Sequence, residues 1–358
     1  MKNKVNLKIL VPIIILCLIS LLDMYGASYT SSLYKNAFIR QLAFIIFGIV
    51  VFILLYKINF KTILDYSMYF YIIGIISLIM VLFVGKNING ASSWFKIGSI
   101  SFQPSEIFKI FYLLFLTKVI IESKNKTFLK GLILTLIPSF LIFLEPDTGV
   151  VIMYIIMFFG IIINSNIKKK GLVLSIIFLS IVVLSIGITY YFNRDLFVNI
   201  FGTNMFYRIE RILDFKNNSS YQLSKALIGV GSAGLLGHGL TSKKVYIPEA
   251  TTDFVYDLTI CNFGMIGGII ILIIYIYLLY NIYKISLHSK NSYKRLLASG
   301  VFYLTLYSVF EHILMNLGIT PITGITLPFL SYGGSSLISM FGLMALIIKK
   351  TTNKSSYN

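Results

Sequence analysis

Apolar residues along this chain come in long runs separated by short polar breaks. The runs cover residues about 9 to 30, 41 to 56, 66 to 84, 105 to 121, 129 to 144, 149 to 165, 171 to 192, 255 to 282, 296 to 318 and 335 to 348. Most have the roughly 17 to 25 residues that a helix needs to cross about 30 Å of hydrocarbon. The shorter alternating segments of a membrane β-barrel are absent. The pattern predicts an all-α integral membrane protein with about ten transmembrane helices, forming one polytopic domain over residues 1–358. The first run follows Lys2, Lys4 and Lys8 with no small-residue cleavage site after it, so it is expected to be a span and not a cleaved leader.

Composition agrees with this reading: 57% of the 358 residues are hydrophobic and 12% charged, against about a quarter charged in soluble domains. Cys17 and Cys261 offer no disulfide framework or thiolate metal site, and His238, His288 and His312 share no ligand spacing, so no zinc-type metal site is expected. The net charge of +18 has a topological explanation. Ten spans put both termini on one side, together with Lys57, Lys61, Lys118, Lys124, Lys126, Lys130, Lys168 to Lys170, Lys284, Lys290, Lys294 and Arg295. The connections on that side hold only Asp65 and Glu122 as acids. By the positive-inside rule that side is the cytoplasm, and no nucleic-acid partner is expected.

Most other acids then fall at the outer face, which carries three notable connections: 85–104, 193–254 and 319–334. The middle one is too long for a plain connector and is the natural place for function. In the first, Trp94 is the only tryptophan, suited to an interfacial anchor, within turn-forming Gly, Asn and Ser. "QPSE" then opens a helix on which Glu106 and Lys109 lie one turn apart on the same face. Ionisable residues at the membrane boundary mark a site or a structural ion pair. "LEPDTG" (144–149) is a tight turn in which Asp147 can cap the next helix. "NMFYRIERILDF" (204–215) reads as an interfacial helix whose Arg208 and Arg211 can grip phosphate.

The glycine-rich run at 229, 231, 234, 237 and 239 permits either backbone contact with a pyrophosphate or close packing against a helix. "YIPEATTDF" (246–254) then brings Glu249 and Asp253 to the head of a span. Thr251 or Thr252 can cap that helix, and Asp253 is equally a capping residue or a general base with a raised pKa. "GITPITGITLPFLSYGGSS" (318–336) is too rich in Pro and Gly for a continuous helix. It reads as a broken or re-entrant segment before the tenth span.

These segments, in this order, resemble the SEDS family of cell-shape, division and sporulation proteins, RodA, FtsW and SpoVE. The resemblance is carried by Asn89, Gly90, Ala91 and Trp94, by Phe102 to Glu106 with Lys109, and by Pro146, Asp147 and Gly149. It continues through Tyr221, Gln222, Gly231 to Leu240, Tyr246 to Phe254, and Pro321 to Ser336 including Ser331. It implies a glycosyltransferase polymerising lipid II at the outer face of a bacterial cytoplasmic membrane, with both termini cytoplasmic. Implied partners are a class B penicillin-binding protein that crosslinks the strand, and other elongasome or divisome membrane proteins. Asp253 is the implied catalytic base. Trp94, Glu106, Lys109, Asp147, Arg208, Arg211, Glu249 and Ser331 are the implied substrate-binding residues. No organic cofactor is implied, and a divalent cation at the pyrophosphate is left open. Two departures stand out: many members carry two glutamates where this chain has Cys261 and Asn262, and Asp257 occupies a usually small or apolar position. The alternatives are a lipid II flippase and a non-catalytic scaffold for the crosslinking enzyme.

Overall fold

A computed structural model describes residues 6–88, 91–98, 100–123, 127–167, 187–203, 221–242 and 245–349, with the single positions 173, 184 and 206 between them. Its helices are α1 Leu7–Ser28, α2 Ala37–Lys57, α3 Phe60–Asp65, α4 Ser67–Val84, α5 Pro104–Glu122, α6 Thr127–Leu144 and α7 Thr148–Ile163. They continue with α8 Arg194–Phe201, α9 Tyr221–Ala233, α10 Val255–His288, α11 Ser292–Asn316 and α12 Gly334–Ile348. Among the described residues, six helical stretches are long and apolar enough to cross a membrane: α1, Ser32–Lys57 containing α2, α4, α6, α10 and α11. The chain is a multi-pass membrane protein. α7 and α12 are shorter apolar helices. The predicted span 171–192 lies for most of its length outside the described residues.

Burial separates an inner from an outer set of helices. α5, α7 and α12 bury Tyr112, Leu116, Tyr154, Phe158, Met344 and Leu346 almost completely. α2, α4 and α10 expose Phe47, Leu54, Ile73, Phe83, Ile273 and Ile276. In water such surface would drive association, whereas in hydrocarbon it is the lipid-facing wall. With lipid as apolar as the helix faces, association relies on close packing, and small residues provide it. Gly48 of α2 leaves room for the Phe341 ring of α12, and Gly74 of α4 for the Phe108 ring of α5.

Two features depart from the all-helical expectation, and a third, the irregular segment before α12, agrees with the broken segment expected there. The connection 85–104 forms a three-stranded antiparallel meander, β1 Lys86–Ile88, β2 Ala91–Ile97 and β3 Ile100–Phe102, with Trp94 opposite Lys86 and Phe95 opposite Phe102. Backbone outside a helix needs partners, and short strands supply them to one another. The predicted span 255–282 is two helices joined at a kink, because Gly264 breaks α10 with φ 74° and ψ −173°. Between α11 and α12, residues 317–333 are irregular yet bury Ile325, Leu327, Phe329 and Leu330. Such backbone is tolerated at membrane depth only where side chains satisfy it. Ser20 of α1 donates to the Leu330 carbonyl (2.6 Å), Gln41 of α2 to that of Ser331 (3.2 Å) and Tyr275 of α10 to that of Pro328 (2.6 Å). His312 Nδ1 of α11 lies 2.8 Å from the Ile325 carbonyl oxygen.

Candidate active site

The stretch 246–254 has no regular structure of its own, so its shape is imposed from outside. Ile247, Ala250 and Phe254 are buried in a small apolar cluster with Ala27, Leu223, Ala226, Leu258 and Cys261. The Tyr34 hydroxyl, on the single 3-10 turn Ser32–Tyr34, donates to the Ile247 carbonyl (3.2 Å) and accepts from the Ala250 N–H (3.3 Å). Three successive carbonyls then receive donors from the end of the bundle. The Tyr332 N–H reaches Thr251 (2.8 Å), the Ser331 hydroxyl Thr252 (2.9 Å) and the Asn316 Nδ2 Asp253 (2.8 Å). The backbone carrying Asp253 is therefore bolted to the irregular segment 317–333, which is itself bolted to α1, α2, α10 and α11.

This arrangement leaves Asp253 outside the cap position. α10 starts at Val255, its N-cap position is Phe254, and no side chain caps it. Neither Thr251, Thr252 nor Asp253 has the capping role that spacing suggested. The carbonyl of Glu249 instead accepts the N–H groups of Thr252, Asp253 and Phe254 (3.2, 3.1 and 3.2 Å). Glu249 adopts φ 51°, a left-handed conformation that is uncommon outside glycine and is held here by the surrounding bonds. Its carboxylate accepts from the Thr252 hydroxyl (3.2 Å). Asp253 is half-buried, and its carboxyl is pushed up to about 6 by burial first and the neighbouring Glu249 charge second, with a hydrogen bond from Thr252 opposing both. A carboxylate in that range is ionised at neutral pH yet basic enough to take a hydroxyl proton.

Ser331, expected to bind substrate, has other work. It is 4% exposed, and its hydroxyl accepts the Leu327 N–H (2.9 Å) while donating to Thr252. Both of these bonds are internal, so Ser331 positions the Asp253 turn.

A second polar cluster forms where α5 meets the α6–α7 turn. Lys109 Nζ lies 2.6 Å from Glu106 Oε1 and 3.1 Å from the Met153 sulfur, with Glu106 and Lys109 both buried. Gln103 joins three predicted motifs: its side-chain amide donates to Asp147 (2.8 Å) and its backbone N–H to the Ser335 hydroxyl (3.0 Å). Asp147 also caps α7 through the Val150 N–H (3.2 Å). Burial raises the Asp147 carboxyl above its ordinary range, with the Val150 N–H opposing. Glu145, read from sequence only as part of a turn, is 0% exposed with neither carboxyl oxygen hydrogen-bonded among the described residues. Burial first and the Asp147 charge second push it up to about 8, so it holds its proton at neutral pH. Its signal in the sequence was a pair of acids flanking a proline in a turn that needs neither. Trp94 is half-buried on β2. Arg208 and Arg211 lie outside the described residues.

The glycine-rich run packs in part on the Gly264 break of α10. The N–H groups of His238 and Gly239 donate to the carbonyls of Cys261 (2.9 Å) and Asn262 (3.1 Å), and those of Met265 and Ile266 to Gly234 (3.0 Å) and Leu235 (3.3 Å). The loop thus repairs the helical bonds lost at the Gly264 break. Gly237 and Gly264, both at positive φ, pack backbone on backbone, where a Cβ on either would collide. Cys261 and Asn262 sit at that repair. Among the described residues no group of three or more His, Cys, Asp or Glu is arranged to hold a metal ion.

The candidate site thus comprises a clamped carboxylate at the head of a broken membrane helix and a buried acid–lysine cluster on α5. The chain matches the family model described as cell cycle protein, covering FtsW, RodA and SpoVE, over residues 6–356. It belongs to that family. It is 34% identical over 333 residues to a probable peptidoglycan glycosyltransferase FtsW of Wigglesworthia glossinidia brevipalpis, covering 87% of this chain and 82% of that protein. Stage V sporulation protein E of Bacillus subtilis is 30% identical over 369 residues, covering 97% of each chain. Among solved structures, one chain from a peptidoglycan synthase complex that coordinates polymerization and crosslinking superposes with a TM-score of 0.76. At 23% identity, that match covers 94% of this chain and 95% of the other and establishes a shared fold.

Proposed function

We propose that this protein is a peptidoglycan glycosyltransferase that polymerises lipid II into glycan strands at the outer face of the bacterial cytoplasmic membrane, with both termini in the cytoplasm. The reading is carried by Asp253, whose carbonyl accepts from Asn316 and whose two preceding carbonyls accept from Ser331 and Tyr332, while its side chain stays half-open. Donor and acceptor both have a polyprenyl tail in the membrane and a sugar head at its surface, so their reacting atoms meet where Asp253 stands. Asp253 takes the proton of the acceptor sugar's 4-hydroxyl. That oxygen attacks the donor's anomeric carbon with inversion, and the carbon–oxygen bond to undecaprenyl pyrophosphate breaks with its electron pair leaving on the phosphate. The leaving group is already a weak base, so the site supplies positive charge more than acid. Lys109, oriented by Glu106, is assigned to the phosphates, with Arg208 and Arg211. Asp147, Glu249 and Trp94 are assigned to the sugars. A divalent cation at the pyrophosphate fits the same chemistry.

The family relatives named as peptidoglycan glycosyltransferases support this assignment, and the synthase complex supports a crosslinking penicillin-binding protein as partner. The test uses the full chain purified with its crosslinking partner, labelled lipid II and no membrane gradient. Wild type is expected to make glycan chains and Asp253→Asn none. Equal polymer from both refutes the base; no polymer from either favours transport or scaffolding.

A further inference from the structure

The Gly264 break has a mechanical consequence. Residues 255–263 are a nine-residue helix whose direction is not inherited from the long remainder of α10, since φ 74° at Gly264 interrupts it. Lateral contacts alone set its tilt, and it begins two residues after Asp253. The apolar contacts on it are non-directional. The directional ones come from the loop 234–239 at its far end, from Asn316 at its near end, and from one acid on α1.

That acid is Asp23, 0% exposed and the only acidic residue in α1. Oδ2 accepts from the Thr259 hydroxyl at 2.6 Å, and Oδ1 accepts from the Asn262 amide at 2.6 Å. Gly26, one turn on, leaves the room that lets α1 approach: a Cβ there would lie 2.9 Å from Asn262 Oδ1. An acid inside a span is costly, and apolar side chains would glue two helices at least as well. What a two-pronged polar contact adds is register: it accepts one rotation and one height of the partner helix.

We propose that Asp23 is a positioning residue for the reaction, fixing the 255–263 half-helix through Thr259 and Asn262 and thereby the place of Asp253. The inference rests on Asp253 being the catalytic base. It is tested on the full chain with its crosslinking partner and lipid II, with Asp253→Asn run alongside. Asp23→Ala, which removes the acceptor that ties Thr259 and Asn262 to α1, is expected to lower kcat roughly ten- to a hundredfold with KM for lipid II nearly unchanged. Asn262→Asp sets two carboxyls against each other and should do the same. The exchanged pair Asp23→Asn with Asn262→Asp restores one donor facing one acceptor and should recover most of the lost kcat. Amide hydrogen exchange over 255–263 should quicken in the single variants and return in the exchanged pair. Should Asp23→Ala fail to fold, Thr259→Val removes one prong alone and is expected to lower kcat in the same direction.

Wild-type kcat in both Asp23→Ala and Thr259→Val overturns the proposal, as does an exchanged pair no better than Asn262→Asp. An inactive Asp253→Asn beside a fully active Asp23→Ala refutes this inference and leaves the base standing. An active Asp253→Asn refutes both.

Discussion

Asn316 offers the most direct way to separate the clamp from the carboxylate it holds. Its side chain is 0% exposed and makes three hydrogen bonds: Nδ2 to the carbonyls of Asp253 (2.8 Å) and His312 (2.9 Å), and Oδ1 from the Asp257 N–H (3.2 Å). In Asn316→Ala the His312 carbonyl keeps its helical partner. The Asp253 carbonyl and the Asp257 N–H, in the first turn of α10 with no intrahelical acceptor, are stranded. Two buried backbone groups without partners cost about 1–3 kcal/mol each, so a loss of about 2–6 kcal/mol in unfolding free energy is expected. The same lesion frees the turn bearing Asp253, so kcat should fall by more than KM rises. The assay is thermal melting in detergent paired with polymerisation of labelled lipid II. A variant melting within about 0.5 kcal/mol of wild type, with unchanged turnover, would refute the reasoning, since surface substitutions with no partners behave that way.

Two further outcomes follow from the titrating groups outside the spans. With the Asp253 carboxyl at about 6, kcat/KM should rise with pH through about 6 and level off above it. Glu249→Gln removes the second-largest cause of the raised value, so the midpoint should move down but stay above an ordinary carboxylate, because burial remains; an unmoved midpoint counts against Asp253 as the titrating base. Glu145 is pushed from the ordinary carboxylate range up to about 8, so the folded state holds a proton that the unfolded chain releases. Its contribution to stability is full below the unfolded value and is lost as pH rises through about 8, by an amount on the order of a few kcal/mol. Glu145→Gln should therefore melt closer to wild type at pH 5 and above it at pH 8; equal shifts at both would overturn the assignment.

What the sequence alone determined is whatever depends on local hydrocarbon content and on residue type at fixed spacing. Apart from 171–192, which lies mostly outside the described residues, apolar run length placed the helix ends to within about six residues, because a span needs little beyond continuous apolar surface. The Glu106–Lys109 pair follows from helical periodicity, and the irregular course of 317–333 from its prolines and glycines. Tertiary structure decided the rest. A helix N-terminus and a base look alike as Thr-Asp before an apolar run, and only the three donors at 316, 331 and 332 set Asp253 outside the cap. Glycines that suit a phosphate equally suit a backbone, and only the Gly264 break shows that Gly237 packs against one. Asp23, Asn316, Ser20, Gln41 and Tyr275 left no pattern, since each is a single polar residue whose partner lies tens to hundreds of positions away. Their meaning resides in hydrogen bonds between helices, and those exist only once the bundle is packed.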